Sequence, residues 1–308
     1  MKNLLSAVDL SAEEMNRILD ESARMKERMR AGETDTPYAG KTLGMYFEKP
    51  SLRTRVSLEV AMHSLGGSAI NLEAPAPGEL WKRESIKDQA RVMSRFVSVV
   101  SMRTYSQAAI EEFAREASVH VVNALSDFAH PTQALADFLT IREHCGGIAG
   151  KTVVFLGDGN NVARSLLAVA ALGGARFVWC GPDSHRIDAP FVEKVVKKRP
   201  DADFDEESDP AEAVRDADII YTDVWASMGM ESEAEAREKT FMPYQVNARL
   251  LSRAPGRARV MHCLPAHRGS EITDEVMDSA KSIVYDQAEN RMHLYRGLFS
   301  LWAGDWKA

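Results

Sequence analysis

Met15, Ile18, Leu19 and Met25 recur at helical spacing behind Ser11 and Glu14, a pair spaced as a helix-capping box. The spacing predicts an amphipathic helix over residues 12–30, ended by Gly32. Beyond it the pattern changes. Short apolar runs alternate with helical spacing: TLGMYF, a helix from Arg53 to Leu65 stopped by Gly66 and Gly67, SAINLE, a helix over Ile86–Phe96, VSVVSM, a helix over Ala108–Ala117, HVVNAL, and a helix from Pro131 to His144. Strand and helix in alternation predict a parallel sheet covered by helices. The glycine-rich segment HCGGIAGK, residues 144–151, interrupts the series and marks a domain boundary. A second series follows: KTVVFLG, a helix over Ala163–Leu172, ARFVWCG, a helix over 191–198, ADIIYTD, ARVMHCL, SIVYDQ and a final helix from Ala288 to Trp302. The acidic stretch DADFDEESD reads as a solvated connection. The fold class expected is therefore α/β, with two domains, each a parallel sheet flanked by helices.

Composition narrows the function more than the fold. The 308 residues, 45% of them hydrophobic, suffice for two domains of about 150 residues. A net charge of −7 with no long basic run argues against a nucleic-acid binder, so clustered arginines need a local explanation, and a small anion is the natural one. The N-terminal MKNLLSAVDLSAEEM has neither a sustained apolar run nor a small-residue cleavage site, and nowhere do about eighteen apolar residues occur together. These features predict a cytoplasmic protein with no membrane partner. The three cysteines, Cys145, Cys180 and Cys263, form no CxxC pair, so neither a disulfide framework nor a metal site is expected.

Ligands on parallel sheets bind beyond the carboxyl ends of the strands, which directs attention to six polar loops. PSLRTR follows the first strand and opens a helix, where unpaired N–H groups, hydroxyls and guanidinium groups suit a phosphate-like dianion. A capping serine with arginines on a solvated face accounts for the same letters. Arg103 ends another strand on the same edge and favours the anion site. In SDFAHPTQ, Pro131 suits the first position of a helix, leaving His130 at its mouth and Gln133 in its first turn. A neutral imidazole there could donate to a carbonyl oxygen, or simply cap the helix. LGDGNNVARS imitates a dinucleotide fingerprint, but Val162 stands where its third glycine belongs, so a nicotinamide-dependent dehydrogenase remains only the alternative of another class. In TDVWASMG, Asp223 at a strand end could hold a substrate ammonium group. In MHCLPAHRG, Cys263 could be a nucleophile, a hydrogen-bonding partner or a small buried hydrophobe, covalent catalysis being the weakest of these because no base adjoins it.

Taken together, SxRTR, a strand-end arginine, HPTQ and HCLP, in that order over nearly the whole chain, resemble the carbamoyltransferase superfamily. FEKPSxRTR, DGNN, DxWxSMG and HCLP look most like its ornithine carbamoyltransferase family. The resemblance implies a carbamoyl phosphate-binding domain over 1–145, with the C-terminal helix 288–308 packing back on it, and an ornithine-binding domain over 146–287. It also implies an active site in the cleft between them, a homotrimer with sites at subunit interfaces, and no cofactor. Carried over residue by residue, Ser51, Leu52 (through its backbone), Arg53 and Thr54 would cradle phosphate. Arg103, His130 and Gln133 would grip the carbamoyl group, Cys263 and Leu264 would line the reacting point, and Arg291 would supply the remaining basic contact. Asn161, Asp223, Ser227 and Met228 would bind ornithine. The pattern departs in two places: Leu52 stands where ornithine enzymes usually have threonine, and PAPGELWKRESIKD carries Trp81, which looks like the tryptophan of acetylornithine and succinylornithine enzymes. That loop would reach a neighbouring subunit's site, with Trp81 towards carbamoyl phosphate. Other amine acceptors, namely N-acetylornithine, N-succinylornithine, putrescine or aspartate, therefore stay open.

Overall fold

The computed structural model describes residues 1–74, 81–226 and 234–303. Two compact units divide it: Met1–Leu139 together with Glu289–Ala308, and Thr140–Ala288.

In the first unit, α1 (Ala12–Arg30) begins at Ser11 with the capping box in place: Ser11 Oγ accepts from the Glu14 N–H and the Glu14 carboxylate from the Ser11 N–H. The chain then runs β1 (Thr42–Phe47), α2 (Leu52–Ser64), β2 (Ser68–Glu73), α3 (Ile86–Phe96), β3 (Val99–Arg103), α4 (Gln107–Glu116), β4 (His120–Leu125) and α5 (Pro131–Cys145). The four strands pair in parallel in the order β2-β1-β3-β4. All of β3 and nearly all of β1 and β4 are buried, which is why they read as continuous apolar runs rather than alternating ones. The edge strand β2 alternates exposed and half-buried positions along most of its length.

In the second unit, β5 (Thr152–Leu156), α6 (Asn161–Gly173), β6 (Arg176–Cys180), α7 (Ala189–Lys198), β7 (Phe204–Glu207), α8 (Pro210–Ala213), β8 (Ile219–Thr222), α9 (Ala234–Phe241), α10 (Ala248–Leu251), β9 (Arg259–His262) and α11 (Asp274–Met277) follow in order; α12 (Val284–Trp302) starts there and belongs to the first unit from Glu289 onward. Its parallel sheet has the order β7-β6-β5-β8-β9. The apolar helix α6 starts on Asn160 and stops where Gly174 takes the left-handed conformation, φ 68°, that a side chain would disfavour.

The expected α/β architecture of two helix-flanked parallel sheets is present, with two local corrections. DADFDEESD is not a mere connection: Phe204–Glu207 forms β7. An edge strand needs one partner and one anchor, and Phe204, stacked on Phe177 at 6.3 Å, is enough, while Asp205 pairs with Arg176 and Glu206 with Arg186 along a charged edge. SIVYDQ is not a strand. It makes one isolated bridge, Ser282 to Val260, and turns into α12 at Val284.

Strand order places the ligand loops. Each sheet reverses its winding once, between β1 and β3 and between β5 and β8. Loops at such switch points diverge to opposite faces and leave a crevice. PSLRTR and MRTYS flank the first crevice, GDGNN and TDVW the second.

Candidate active site

In the first unit Ser51 caps α2, its Oγ accepting from the Thr54 N–H at 3.3 Å. Thr54 is fully buried, and Arg291 Nη2 at 2.9 Å and Arg103 Nη1 at 3.5 Å both donate to its Oγ1. Arg291 Nη1 donates to Gln133 Oε1 at 2.6 Å. Two guanidinium groups, 8% and 3% exposed, thus converge on the first turn of α2, whose N-terminal dipole adds to the positive potential. Arg291 Nε is buried without a hydrogen-bond partner among the described residues, an orphan donor of the kind a ligand satisfies. His130 lies beside them. Burial, with Arg291 and Arg103 nearby, holds its imidazole well below the usual histidine range, so the ring is neutral at physiological pH.

Neighbouring contacts fix this geometry. A register shift in the pairing of β3 with β4 at Met102/Arg103 turns Arg103 at the strand end. The Arg103 carbonyl accepts from the Glu48 N–H, Glu48 accepts from the Tyr105 N–H, and Lys49 pairs with Asp127, tying together the loops after β1, β3 and β4. Arg291 is held from α1, where Lys26 Nζ donates to Asn290 Oδ1 at 2.8 Å and the Met25 carbonyl accepts from Arg296 at 2.7 Å. Leu52 is 74% exposed, so only its backbone belongs to the turn, and Arg55 pairs with Glu59 and Glu73 outside the cluster. Arg53 is half-buried in the first turn of α2.

Trp81 lies against its own unit's core, stacked on Tyr46 at 5.8 Å and tilted against Phe113 at 6.4 Å. Its Nε1 is buried with no hydrogen-bond partner among the described residues.

In the second unit the centre is Asp223, immediately after β8. Its Oδ1 accepts from the Val224 N–H at 2.8 Å and from Cys263 Sγ at 2.9 Å, and its Oδ2 accepts from Asn160 Nδ2 at 3.0 Å. Cys263 follows β9, and Leu264 adopts a positive φ of 59° before a cis bond to Pro265. His262 is fully buried, its Nδ1 accepting from the Leu264 N–H at 2.8 Å and its Nε2 facing Glu271 at 3.0 Å. Asp223, His262 and Cys263 each bring a potential metal-ligating atom within 4.8 Å of the others. Both nitrogens of His262 are already engaged, however, so this donor set is spoken for inside the protein. Asn161 opens α6 and its carbonyl accepts from Ser165 Oγ at 2.7 Å. Ser227 and Met228 lie outside the described residues.

A cation-lined turn for a dianion, a neutral imidazole beside it, and a carboxylate–thiol pair at the end of a second sheet match the order of motifs in the chain, and comparison with known proteins agrees. Residues 2–143 match the family described as aspartate/ornithine carbamoyltransferase, carbamoyl-P binding domain, and residues 149–302 match its Asp/Orn binding domain. The chain belongs to the aspartate/ornithine carbamoyltransferase family. Among its relatives, the protein named ornithine carbamoyltransferase, anabolic, of Pyrococcus furiosus is 47% identical over 98% of this chain and 96% of its own length. The ornithine carbamoyltransferase of Methanopyrus kandleri is 48% identical over 98% and 97%. The solved structure of the P. furiosus ornithine carbamoyltransferase superposes with a TM-score of 0.95 at 46% identity, over 99% of this chain and 98% of that one. That of the anabolic enzyme from Campylobacter jejuni gives 0.91 at 33% identity over the full length of both.

Three residues of this carbamoyltransferase escaped the sequence reading. Asn160 donates to Asp223 and also caps α6 by accepting from the Val162 and Ala163 N–H groups. Its signal was an asparagine directly before an apolar helical run. Asp158 pairs with Arg237 on α9, whose guanidinium also donates to the Trp225 carbonyl, and no local pattern announces a pair so far apart in sequence. Burial raises the Asp158 carboxyl while Arg237 pulls it back. The glycines of GDGNN serve the fold: a Cβ on Gly159 would lie 2.3 Å from the Ile187 nitrogen, so the approach a dinucleotide phosphate would need is filled by the chain's own backbone.

Proposed function

We propose that the chain transfers the carbamoyl group of carbamoyl phosphate to the side-chain amine of L-ornithine, giving L-citrulline and phosphate, as an ornithine carbamoyltransferase does. The observation that carries this reading is the convergence of Arg103 and Arg291 on Thr54 at the mouth of α2, beside a neutral His130. A dianionic acyl phosphate calls for that combination. The relatives, named ornithine carbamoyltransferases and matched over nearly the full length of this chain, support ornithine as the acceptor.

In this reading residues 1–145 with the C-terminal helix bind carbamoyl phosphate and 146–287 bind ornithine. The α2 turn, through Ser51, the Leu52 backbone, Arg53 and Thr54, receives the phosphate. Arg103 spans phosphate and carbonyl oxygen, His130 donates to that oxygen, and Gln133 and Arg291 hold the carbamoyl group. Asp223, with Asn161, Ser227 and Met228, receives the amino-acid end of ornithine, and Cys263 and Leu264 line the reacting point.

The amine nitrogen attacks the carbamoyl carbon, the new C–N bond forms, and the C–O bond to phosphate breaks with its electron pair leaving on phosphate. The neutral amine carries two protons into the attack and gives one of them to the departing phosphate. Carbamoyl phosphate brings its own leaving group, so the protein's part is to orient two reactants and neutralise charge that develops on oxygen. A lysine-like amine with a pKa of about 10.4 must be deprotonated to attack, and in this reading Cys263, whose thiol donates to Asp223, positions it. The reaction asks for no cofactor.

The word anabolic in one relative's name supports a place in arginine biosynthesis. Among the described residues no helix is long and apolar enough to cross a membrane, which fits the cytoplasmic location proposed here. A homotrimer is supported by an exposed apolar stripe on α2, Leu52, Val56 and Val60, and by Val92 and Phe96 on α3.

Steady-state carbamoylation with ornithine, acetylornithine, succinylornithine, putrescine and aspartate offered in parallel tests the reading. Strong preference for ornithine is expected. Preference for an acylated ornithine would make Trp81 the subfamily marker and remove Asp223 from ammonium binding.

A further inference from the structure

We propose that Asp137 fixes which face of the Gln133 amide meets carbamoyl phosphate, and so makes the site select an acyl phosphate that carries an N–H donor. The inference rests on the function proposed above and assigns a positioning residue to it.

Gln133 is 1% exposed on α5. A primary amide has an accepting oxygen and a donating nitrogen of nearly equal shape, so burial alone does not decide which way it points. Its neighbours decide. A guanidinium has donors only, so the Gln133 atom 2.6 Å from Arg291 Nη1 is the oxygen. The nitrogen is thereby turned one helical turn onward, where Asp137 Oδ1 accepts from it at 2.8 Å. Reversing the amide would set nitrogen against guanidinium and oxygen against carboxylate.

The choice of residue at 137 supports this role. Asp137 is fully buried, and Ala134, Leu135, Ala136, Phe138 and Leu139 around it in sequence are buried and apolar. A carboxyl in such a helix is costly unless its contacts require it. An asparagine of the same shape could turn its own nitrogen to Gln133 and compete with Arg291 for the amide oxygen. A carboxylate, which only accepts, holds the amide one way.

The consequence is chemical. With one lone pair of Gln133 Oε1 on Arg291, the proposal gives the other to the carbamoyl group, which must then answer with an N–H. The carbamoyl NH2 does so. Acetyl phosphate, which puts a methyl group there, does not, and a site built around a hydrogen bond rejects an analogue that cannot make it.

The test compares the KM for carbamoyl phosphate with the inhibition constant of acetyl phosphate in the wild-type chain, in D137N and in the double variant Q133E/D137N. Wild type is expected to favour carbamoyl phosphate strongly. In D137N its KM should rise about tenfold, the equivalent of one hydrogen bond between neutral groups, while acetyl phosphate inhibition stays within about twofold. In the double variant the carboxylate at position 133 can only accept and the amide at position 137 can donate to it, so preference for carbamoyl phosphate should return. Should D137N fail to fold, D137S, which frees the amide to turn without added volume, carries the same expectation. Unchanged discrimination in an active D137N, equal weakening of both phosphates, or no recovery in the double variant overturns the inference while leaving the function standing. A wild-type chain that turns over no carbamoyl phosphate removes both.

Discussion

Removing the Arg103 side chain takes away a donor to Thr54 and, in the proposed function, the cation that spans carbonyl and phosphate. Arg103→Ala should lower kcat about 100- to 1000-fold, as loss of one oxyanion donor does, with the fold kept because the backbone pairing of β3 does not use the guanidinium. Near-normal turnover in a folded variant would exclude Arg103 from the reaction. His130 makes a second prediction through pH. Its folded-state pKa is depressed, so above the ordinary histidine value of about 6.5 both folded and unfolded chains hold it neutral and its contribution is complete. As pH falls below about 6.5 the unfolded chain takes up a proton that the folded site refuses, and stability is lost. His293, also held low by burial, adds the same sign, so His130→Gln should flatten part of the slope between pH 7.5 and 5.5 in urea unfolding midpoints. An unchanged slope would mean His130 titrates normally in the fold. Arg103 and His130 were legible in the letters because each adjoins a strand end or a proline-marked helix start. Asp137 was not, since one aspartate in an apolar helix signals burial only once the helix is packed.

At the scale of elements, Asn160 does two jobs from one amide: its oxygen caps α6 and its nitrogen holds Asp223. Asn160→Ala should cost about 1 kcal/mol for the lost cap and, separately, raise the KM for the amine, because the Asp223 carboxylate loses the amide that donates to its Oδ2. Asn160→Asp restores the capping oxygen but sets a second carboxylate against Asp223, so it should recover the cap's share of stability less the like-charge repulsion, and no amine affinity. Thermal unfolding and amine saturation curves separate the two. If both variants bind the amine normally, the Asn160–Asp223 contact has no part in the site. Most elements were legible because parallel strands covered on both faces read as apolar runs between capped helices. The errors arose where length was short. Six residues of SIVYDQ carry too few periods to distinguish strand from helix, and the buried positions Val284, Gln287 and Arg291 reveal the helical spacing only when extended into α12. DADFDEESD hid an edge strand because one aromatic was its whole apolar anchor.

For the whole molecule, the open question is how many chains make a working enzyme. Leu52, Val56 and Val60 lie four residues apart on α2, so they form one ridge, and Val56 is 47% exposed. The stripe begins in the turn that carries Ser51 and Thr54, so a chain seated on it would lie beside the proposed phosphate site. The homotrimer in the proposed function makes this ridge part of an interface, and sedimentation of the wild-type chain at micromolar concentration should then give the mass of three chains. Val56→Glu adds a charge at a position whose side chain supports little of its own unit's core. It should leave the circular dichroism spectrum and unfolding of each chain nearly intact while dispersing the assembly. If neighbouring chains complete each other's sites through the Trp81 loop, turnover should fall with the mass and recover at higher protein concentration. A Val56→Glu chain that sediments alone yet keeps full turnover at every concentration would show that one chain suffices. A wild-type chain that sediments alone would instead leave the ridge without a partner of its own kind.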